Sequence, residues 1–283
     1  MAIVSRSIQE AYRYLTGTPL RSLARLPLIA PFRNRIATWV RRWDLTRDVH
    51  GVELTMPGSF LNFYTDNFEP STLQWLRENL RPGMIVADVG AHIGFVTVFM
   101  ARLVGSGGRV YAFEPTSDSL AYLNRNVSQN GVQNVIIIPA AAGETADTRT
   151  LYLSGVSDTN SLYQRHLGRT VGTLQVEQVR LDDVVSAPDL VKIDVEGAEI
   201  EVLKGMNRIL DQGKRPILLV EWSPACQVGA ARSPDDLITT LRSLGYELKV
   251  LGDSASVDET VHRLARNELP QEWYVNLACL PNS

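Results

Sequence analysis

The spacing of apolar positions changes period along the chain, and each change predicts an element. Met84–Val89 is an apolar run of strand length interrupted only by Asp88, and Phe95–Val104 carries apolar residues at helical spacing. The alternation continues with a strand over Arg109–Phe113, a helix over Ser117–Asn130 stopped by Gly131, and a strand over Val135–Ala140. Residues 141–180 offer short polar–apolar stretches and loops. A strand at Leu190–Ile193, a helix over Ala198–Leu210, a strand at Pro216–Val220 and a helix over Pro234–Leu244 closed by Gly245 follow. Tyr246–Leu251 and Trp273–Leu280 are the last candidate strands, which makes seven in this body. Upstream, residues 51–65 read as a short β segment with Pro57-Gly58 as a turn, and Glu69–Leu80 as a helix with Pro70 in its first turn. Strands alternating with helices predict an α/β fold, doubly wound around a mostly parallel sheet.

The first fifty residues break this pattern. Pro19, Pro27 and Pro31 limit residues 1–31 to irregular or short helical pieces. Phe32, Ile36, Trp39, Val40 and Trp43 then recur at helical spacing, among Arg33, Arg35, Arg41 and Arg42. Nine arginines against Glu10, Asp44 and Asp48 give this segment +6, which leaves −9 for the rest of a chain whose net charge is −3. Two domains are therefore expected, a basic N-terminal extension over 1–50 and a catalytic body over 51–283. The amphipathic basic helix can pack on the body, join a second copy in a homodimer, or lie at an anionic membrane surface. The acidic body disfavours nucleic acid as a partner.

With 283 residues, 45% hydrophobic and 21% charged, the chain has the balance of a globular protein able to stabilise its core without disulfides. Cys226 and Cys279 read as buried thiols in a reducing cytosol, and the histidines at 50, 92, 166 and 262 show no ligand spacing. No apolar run is long enough to span a bilayer, and the start lacks the apolar segment and cleavage site of a secretory signal. The expected location is cytoplasmic, with the inner membrane face as the place for peripheral contact.

The chemistry concentrates after the first strand of the body, in Asp88-Val89-Gly90-Ala91-His92-Ile93-Gly94. Ligands of such sheets bind beyond the carboxyl ends of the strands, and glycines there let the backbone turn tightly against a ligand. A dinucleotide fingerprint needs Gly-x-Gly-x-x-Gly. Here His92 stands at the middle glycine and Phe95 at the last, while Asp88 precedes the turn. An acid there repels a pyrophosphate but suits S-adenosylmethionine, whose ammonium and sulfonium are cationic. A nicotinamide-dependent dehydrogenase is disfavoured on the same ground. Glu114, followed by Pro115, ends the second strand, 26 positions after Asp88, where a carboxylate can accept from ribose hydroxyls. Ala140-Ala141-Ala142-Gly143 leaves room for an adenine ring. The expected cofactor set is Asp88, Val89, Gly90, His92, Gly94, Glu114, Pro115, Ala141 and Asp194. At His92 the backbone amide is expected to matter more than the imidazole.

These stretches, with Leu181-Asp182-Asp183 and above all Lys192-Ile193-Asp194-Val195-Glu196-Gly197-Ala198-Glu199, resemble the FkbM family of methyltransferases over roughly residues 60–225. The resemblance implies a class I, Rossmann-like fold and an S-adenosylmethionine-dependent O-methyltransferase acting on a hydroxyl of a sugar, glycolipid or polyketide-type natural product. It implies cofactor contacts at Asp88, Gly90, Gly94 and Glu114. The family often carries asparagine at the position of His92.

Asp194, Glu196 and Glu221 are the candidate catalytic residues, since the ends of neighbouring strands bring them to one crevice. A carboxylate there can take the acceptor's proton as general base. Alternatively Asp194 and Glu221 can hold a divalent magnesium or manganese ion that acidifies the hydroxyl. Glu199 and Glu201 are expected in the first turns of the following helix, favoured by its dipole. Ser157-Asp158-Thr159-Asn160-Ser161, with Arg165 and His166, forms a polar loop that either covers the acceptor or is simply solvated. Methylation at nitrogen or carbon, and a non-catalytic methyltransferase-like binding protein, are the alternative functions.

Overall fold

The computed structural model describes residues 43–154, 159–164, 170–213, 215–270 and 273–282. The amphipathic helix expected over Phe32–Trp43 lies outside the described residues except for Trp43. Among the described residues no helix is long and apolar enough to cross a membrane. The chain divides into two compact units, Met1–Phe68 and Glu69–Ser283.

In the first unit, β1 (Asp44–Val49) and β2 (Val52–Pro57) pair antiparallel around His50-Gly51, both with positive φ. The boundary expected near residue 50 thus falls at a hairpin turn, and the division lies instead between Phe68 and Glu69. Phe60, Phe63, Tyr64 and Phe68 follow as a group of edge-on and tilted rings with centroids 4.8–6.1 Å apart.

The second unit begins with α1 (Pro70–Asn79), then β3 (Ile85–Val89), α2 (Phe95–Val104), β4 (Arg109–Phe113), α3 (Ser117–Gln129) and β5 (Val135–Ile138). A separate group follows: β6 (Ala141–Ala142), β7 (Asp147–Ser154) and β8 (Thr170–Val179). The chain continues through α4 (Leu181–Val184), β9 (Leu190–Ile193), α5 (Glu199–Lys204), α6 (Asn207–Leu210), β10 (Ile217–Trp222) and α7 (Pro224–Gly229). It closes with α8 (Asp236–Ser243), β11 (Tyr246–Val250), α9 (Val257–Ala265) and β12 (Val275–Pro281).

The main sheet has seven strands in the order β11-β12-β10-β9-β3-β4-β5. Only β12 runs against its neighbours. This is the mostly parallel, doubly wound sheet that the alternating pattern predicts. Side chains alternate across it. Val89, Phe113, Val191, Ile193, Leu218 and Val220 pack under α5, α6, α8 and α9, whereas Ala112 packs with Leu123 of α3 on the opposite face. Each fully buried aliphatic side chain contributes about 1.5–3 kcal/mol. Trp222, the largest of the buried residues, stacks edge-on against Trp273 at 5.6 Å and donates its indole N–H to the Pro234 carbonyl at 2.8 Å.

Several elements differ from the sequence expectation, among them the helices α4, α7 and α9, which it does not include. Among the described residues of 141–180, where short polar–apolar stretches and loops are expected, β6, β7 and β8 form a three-stranded sheet ordered β6-β8-β7. The helix expected over Ala198–Leu210 is broken into α5 and α6 at Gly205 and Met206, and only glycine fits at 205, where a Cβ would stand 1.9 Å from the Gly143 carbonyl oxygen. Glu221 is within β10 rather than beyond its end.

Candidate active site

The chain leaves β3 through Gly90, whose φ of +87° suits glycine, and a Cβ there would lie 1.8 Å from the Asp194 carbonyl oxygen. The turn after β3 therefore rests directly on the loop after β9. Gly90 and Ala91 both donate their N–H to the Phe113 carbonyl, at 3.1 and 2.9 Å, and Asn126 holds the Ile93 carbonyl at 2.7 Å. Gly94 caps α2 in a left-handed conformation.

His92 is also left-handed, with φ of +48°. Its backbone N–H donates to Glu114 Oε2 at 3.0 Å, so the amide does structural work, as the sequence reading expects. Burial is the main cause that lowers the imidazole's pKa to about 4, with Lys192 acting in the same direction and Asp194 against it. The ring is neutral at physiological pH.

Glu114, 6% exposed, accepts three hydrogen bonds: the one from His92, and two on Oε1 from the Thr116 N–H and hydroxyl at 2.9 and 2.5 Å. Burial raises its pKa, and these donors offset part of the rise. Oε2 keeps a lone pair for a further donor. This anchored carboxylate beside a glycine turn fits the ribose end of an adenosyl group, with Pro115 next to it.

Asp88 sits differently from the expectation of a carboxylate facing the cofactor's cationic end. It is 0% exposed. Its Oδ2 accepts the Thr97 hydroxyl at 2.5 Å, and its Oδ1, which accepts no hydrogen bond among the described residues, is 3.5 Å from Lys192 Nζ. Lys192 stands opposite Asp88 in the β3–β9 ladder, is 4% exposed, and also reaches Asp194 Oδ2 at 3.0 Å. Burial opposes its charge, but Asp194 and Asp88 outweigh burial and raise the ammonium above the ordinary lysine range. Val89 is buried in the sheet core. Ala141 is not brought to this group, since its methyl packs with Leu151 and Val176 in the smaller sheet.

On the other side of Gly90, the Asp194 N–H donates to the Val89 carbonyl at 3.0 Å and its side chain is 30% exposed. The loop after it turns through Glu196 and Gly197, both with positive φ. Glu199 and Glu201 lie in the first turn of α5, as expected for acids at its start. Glu199 is buried and folds back, accepting the N–H groups of Gly197 and Val195 at 2.9 and 3.4 Å and the Gln227 amide at 2.8 Å. Glu201 pairs with Arg232, which also donates to the Gly197 carbonyl at 2.9 Å and the Tyr163 hydroxyl at 3.1 Å.

Asp194 and Glu221 come together, each within the other's field, but Glu196 does not join them. It accepts the Cys226 thiol at 3.2 Å, and its carbonyl takes the Ser161 hydroxyl at 2.6 Å. Glu196 thus shapes the loop. Of the polar loop named in the sequence reading, Ser157, Asp158, Arg165 and His166 lie outside the described residues. Glu221 has its pKa pushed well up, by burial first, then by Asp194, Glu199 and Glu69, with Lys192 opposing. Glu69, just before α1, is the residue that sequence reasoning missed. Burial and Asp194 raise its pKa.

Among the described residues no group of three or more His, Cys, Asp or Glu side chains is arranged to hold a metal ion. Asp194 is engaged by the Lys192 ammonium instead.

The profile of the methyltransferase FkbM domain matches residues 88–248. The 31-O-demethyl-FK506 methyltransferase FkbM of Streptomyces tacrolimicus is 32% identical over 223 residues, 66% of this chain and 81% of that protein. Methyltransferase sdnD of Sordaria araneosa is 29% identical over 181 residues, 52% of this chain and 70% of that protein. Hexuronic acid methyltransferase AglP of Haloferax volcanii is 28% identical over 147 residues, 50% of this chain and 58% of that protein. Among solved structures, a methyltransferase FkbM from Methylobacillus flagellatus superimposes with a TM-score of 0.45 at 18% identity, over 79% of this chain and 53% of that one.

Proposed function

The chain belongs to the FkbM methyltransferase family, S-adenosylmethionine-dependent enzymes with the class I, Rossmann-like sheet, and we propose that it methylates a hydroxyl of a sugar, glycolipid or polyketide-type natural product. One observation supports this reading: Glu114, held by three hydrogen bonds, and Glu221, which accepts none among the described residues, stand on opposite sides of the Gly90–Asp194 contact, and we read the two sides as a cofactor side and an acceptor side. Two relatives are named for their acceptors, 31-O-demethyl-FK506 and a hexuronic acid, and they support an oxygen-rich acceptor.

S-adenosylmethionine, when bound, supplies a methyl group on a sulfonium that leaves as a neutral sulfide. Gly90, Gly94 and the Glu114 carboxylate would hold its adenosyl part. An alcohol becomes a strong nucleophile only when its proton is taken. Glu221 suits that task, because a carboxylate whose neighbours oppose its ionisation binds a proton firmly once it has lost its own. Burial is the main cause that raises Glu221, and the charge of Asp194, which Lys192 contacts, adds most among its neighbours. The acceptor's proton ends on the Glu221 carboxyl.

The test is incubation of the full chain with methyl-labelled S-adenosylmethionine and a panel of a methyl glucuronoside, a methyl glucoside and a macrolactone bearing a vicinal diol. A mass gain of one methyl on an acceptor oxygen is the expected result, with Glu221→Gln lowering turnover by about 10²–10⁴-fold. A methyl group on nitrogen or carbon overturns the oxygen assignment. A fully active Glu221→Gln removes the base.

A further inference from the structure

Two polar residues near Glu221 come from outside the stretch that the family profile covers. Glu69 precedes it and Asn276 follows it, 207 positions apart in the chain. Asn276 lies on β12 directly opposite Glu221 in the antiparallel β10–β12 ladder. Side chains directly opposite in such a ladder share a face, with Cβ atoms about 5 Å apart. The Asn276 amide is therefore beside the Glu221 carboxyl and is the nearest neutral donor that β12 offers it.

The amide does not serve Glu221. Nδ2 donates to Glu69 Oε2 at 3.2 Å and to the Thr72 hydroxyl at 3.1 Å, and the side chain is 8% exposed. Both amide hydrogens are thus committed away from the base. Glu69 makes this contact from a left-handed backbone, φ +40° and ψ +51°, an arrangement that a glutamate adopts at a cost and that persists only where its surroundings enforce it. The charged groups around Glu221 are Lys192 from β9, Asp194 just after it, Glu199 from α5, and Glu69 just before α1.

We propose that Glu69 is a positioning residue for the acceptor side: together with Thr72 it draws the Asn276 amide away from Glu221 and so keeps that carboxyl without a neutral donor. This rests on the reading of Glu221 as the base. A base that accepts a strong amide hydrogen bond loses affinity for a proton. Releasing Asn276 would let its N–H turn to Glu221 and weaken it. Glutamine at 69 keeps an acceptor oxygen for Asn276, whereas alanine does not.

The test needs no acceptor substrate. Infrared titration of the full chain, labelled in its glutamate carboxyls and compared with Glu221→Gln to assign the band, follows protonation of Glu221 itself. Calorimetry with S-adenosylhomocysteine checks in parallel that each variant keeps its cofactor side. The expected result is a fall of at least one pH unit in the Glu221 midpoint in Glu69→Ala, a clearly smaller fall in Glu69→Gln, which removes the Glu69 charge but keeps an acceptor for Asn276, and return toward the Glu69→Gln midpoint in Glu69→Ala/Asn276→Ala. An unchanged midpoint in Glu69→Ala overturns the proposal, as does an equal fall in the glutamine variant, which would make the effect one of charge alone. If Glu69→Ala does not fold, the double variant and Glu69→Gln decide it: a Glu69→Gln midpoint displaced by a unit or more overturns it. Failure here is separate from failure of the base assignment, which is read from the turnover of Glu221→Gln.

Discussion

Glu114 at the end of β4 and Glu221 near the end of β10 are glutamates in matching places of one sheet, and burial raises the pKa of both. Their surroundings differ. Glu114 accepts three hydrogen bonds, two of them from backbone amides. Glu221 accepts none among the described residues and is crowded by Asp194, Glu199 and Glu69. A carboxylate fixed by donors keeps its place and its lone pairs whatever occupies the site. One surrounded by other acids gains or loses a proton in response to what arrives. The contrast matches the two roles proposed, holding for Glu114 and reacting for Glu221, and Lys192 joins the two halves by touching Asp88 on one side and Asp194 on the other.

The largest expected effect follows from that junction. Lys192→Met leaves a fully buried Asp88 and a partly buried Asp194 without their cation. Removing one partner of a buried pair costs about 3–5 kcal/mol. Urea unfolding should show a loss of this size, and a loss below about 1 kcal/mol would mean that the two halves are not tied through this ammonium.

Glu114→Ala tests the holding half alone. It should weaken S-adenosylhomocysteine binding by about 1–3 kcal/mol, the usual scale for hydrogen bonds to a charged group. Calorimetric affinity equal to that of the wild type would remove the ribose assignment.

The holding half was also the more legible one. Short apolar runs ending in Gly90 and in Glu114 are local signals, and β4, β9 and α2 begin and end where the residue pattern places them. The reacting half depends on partners distant in sequence. Nothing near Glu69 announces that Asn276 will meet it, because that contact exists only once β12 inserts between β10 and β11. The smaller sheet was read only as short polar–apolar stretches and loops, although Leu174-Gln175-Val176-Glu177 alternates with strand period and its Val176 face packs on Leu151. Likewise α9 had a signal that went unread: Ser256 and Glu259 have the spacing of a capping box, and the Ser256 hydroxyl accepts the Glu259 N–H at 3.1 Å.

The smallest expected effect concerns His92, which belongs to the holding half by its backbone and faces the reacting half by its ring. Its pKa is near 6.5 in the unfolded chain and about 4 in the folded one. Between these values the unfolded state binds more protons, so the contribution of His92 to stability is complete above pH 6.5 and is lost as pH falls toward 4. A shift of this size corresponds to about 3 kcal/mol, and partial exposure of the residue brings the expectation to about 1–3 kcal/mol. Glu69, Glu114, Glu199 and Glu221, with raised pKa values, act in the opposite sense over acid pH, so the wild-type curve alone does not isolate the histidine. The comparison with His92→Asn does. Asparagine tolerates the left-handed backbone and keeps the N–H that Glu114 accepts. The stability difference between variant and wild type should therefore move by about 1–3 kcal/mol in favour of asparagine between pH 7 and pH 4, while S-adenosylhomocysteine affinity at pH 7 stays within twofold. Parallel stability curves would show that the ring is not held neutral by burial, and a large loss of affinity would move His92 from a backbone role to a side-chain one.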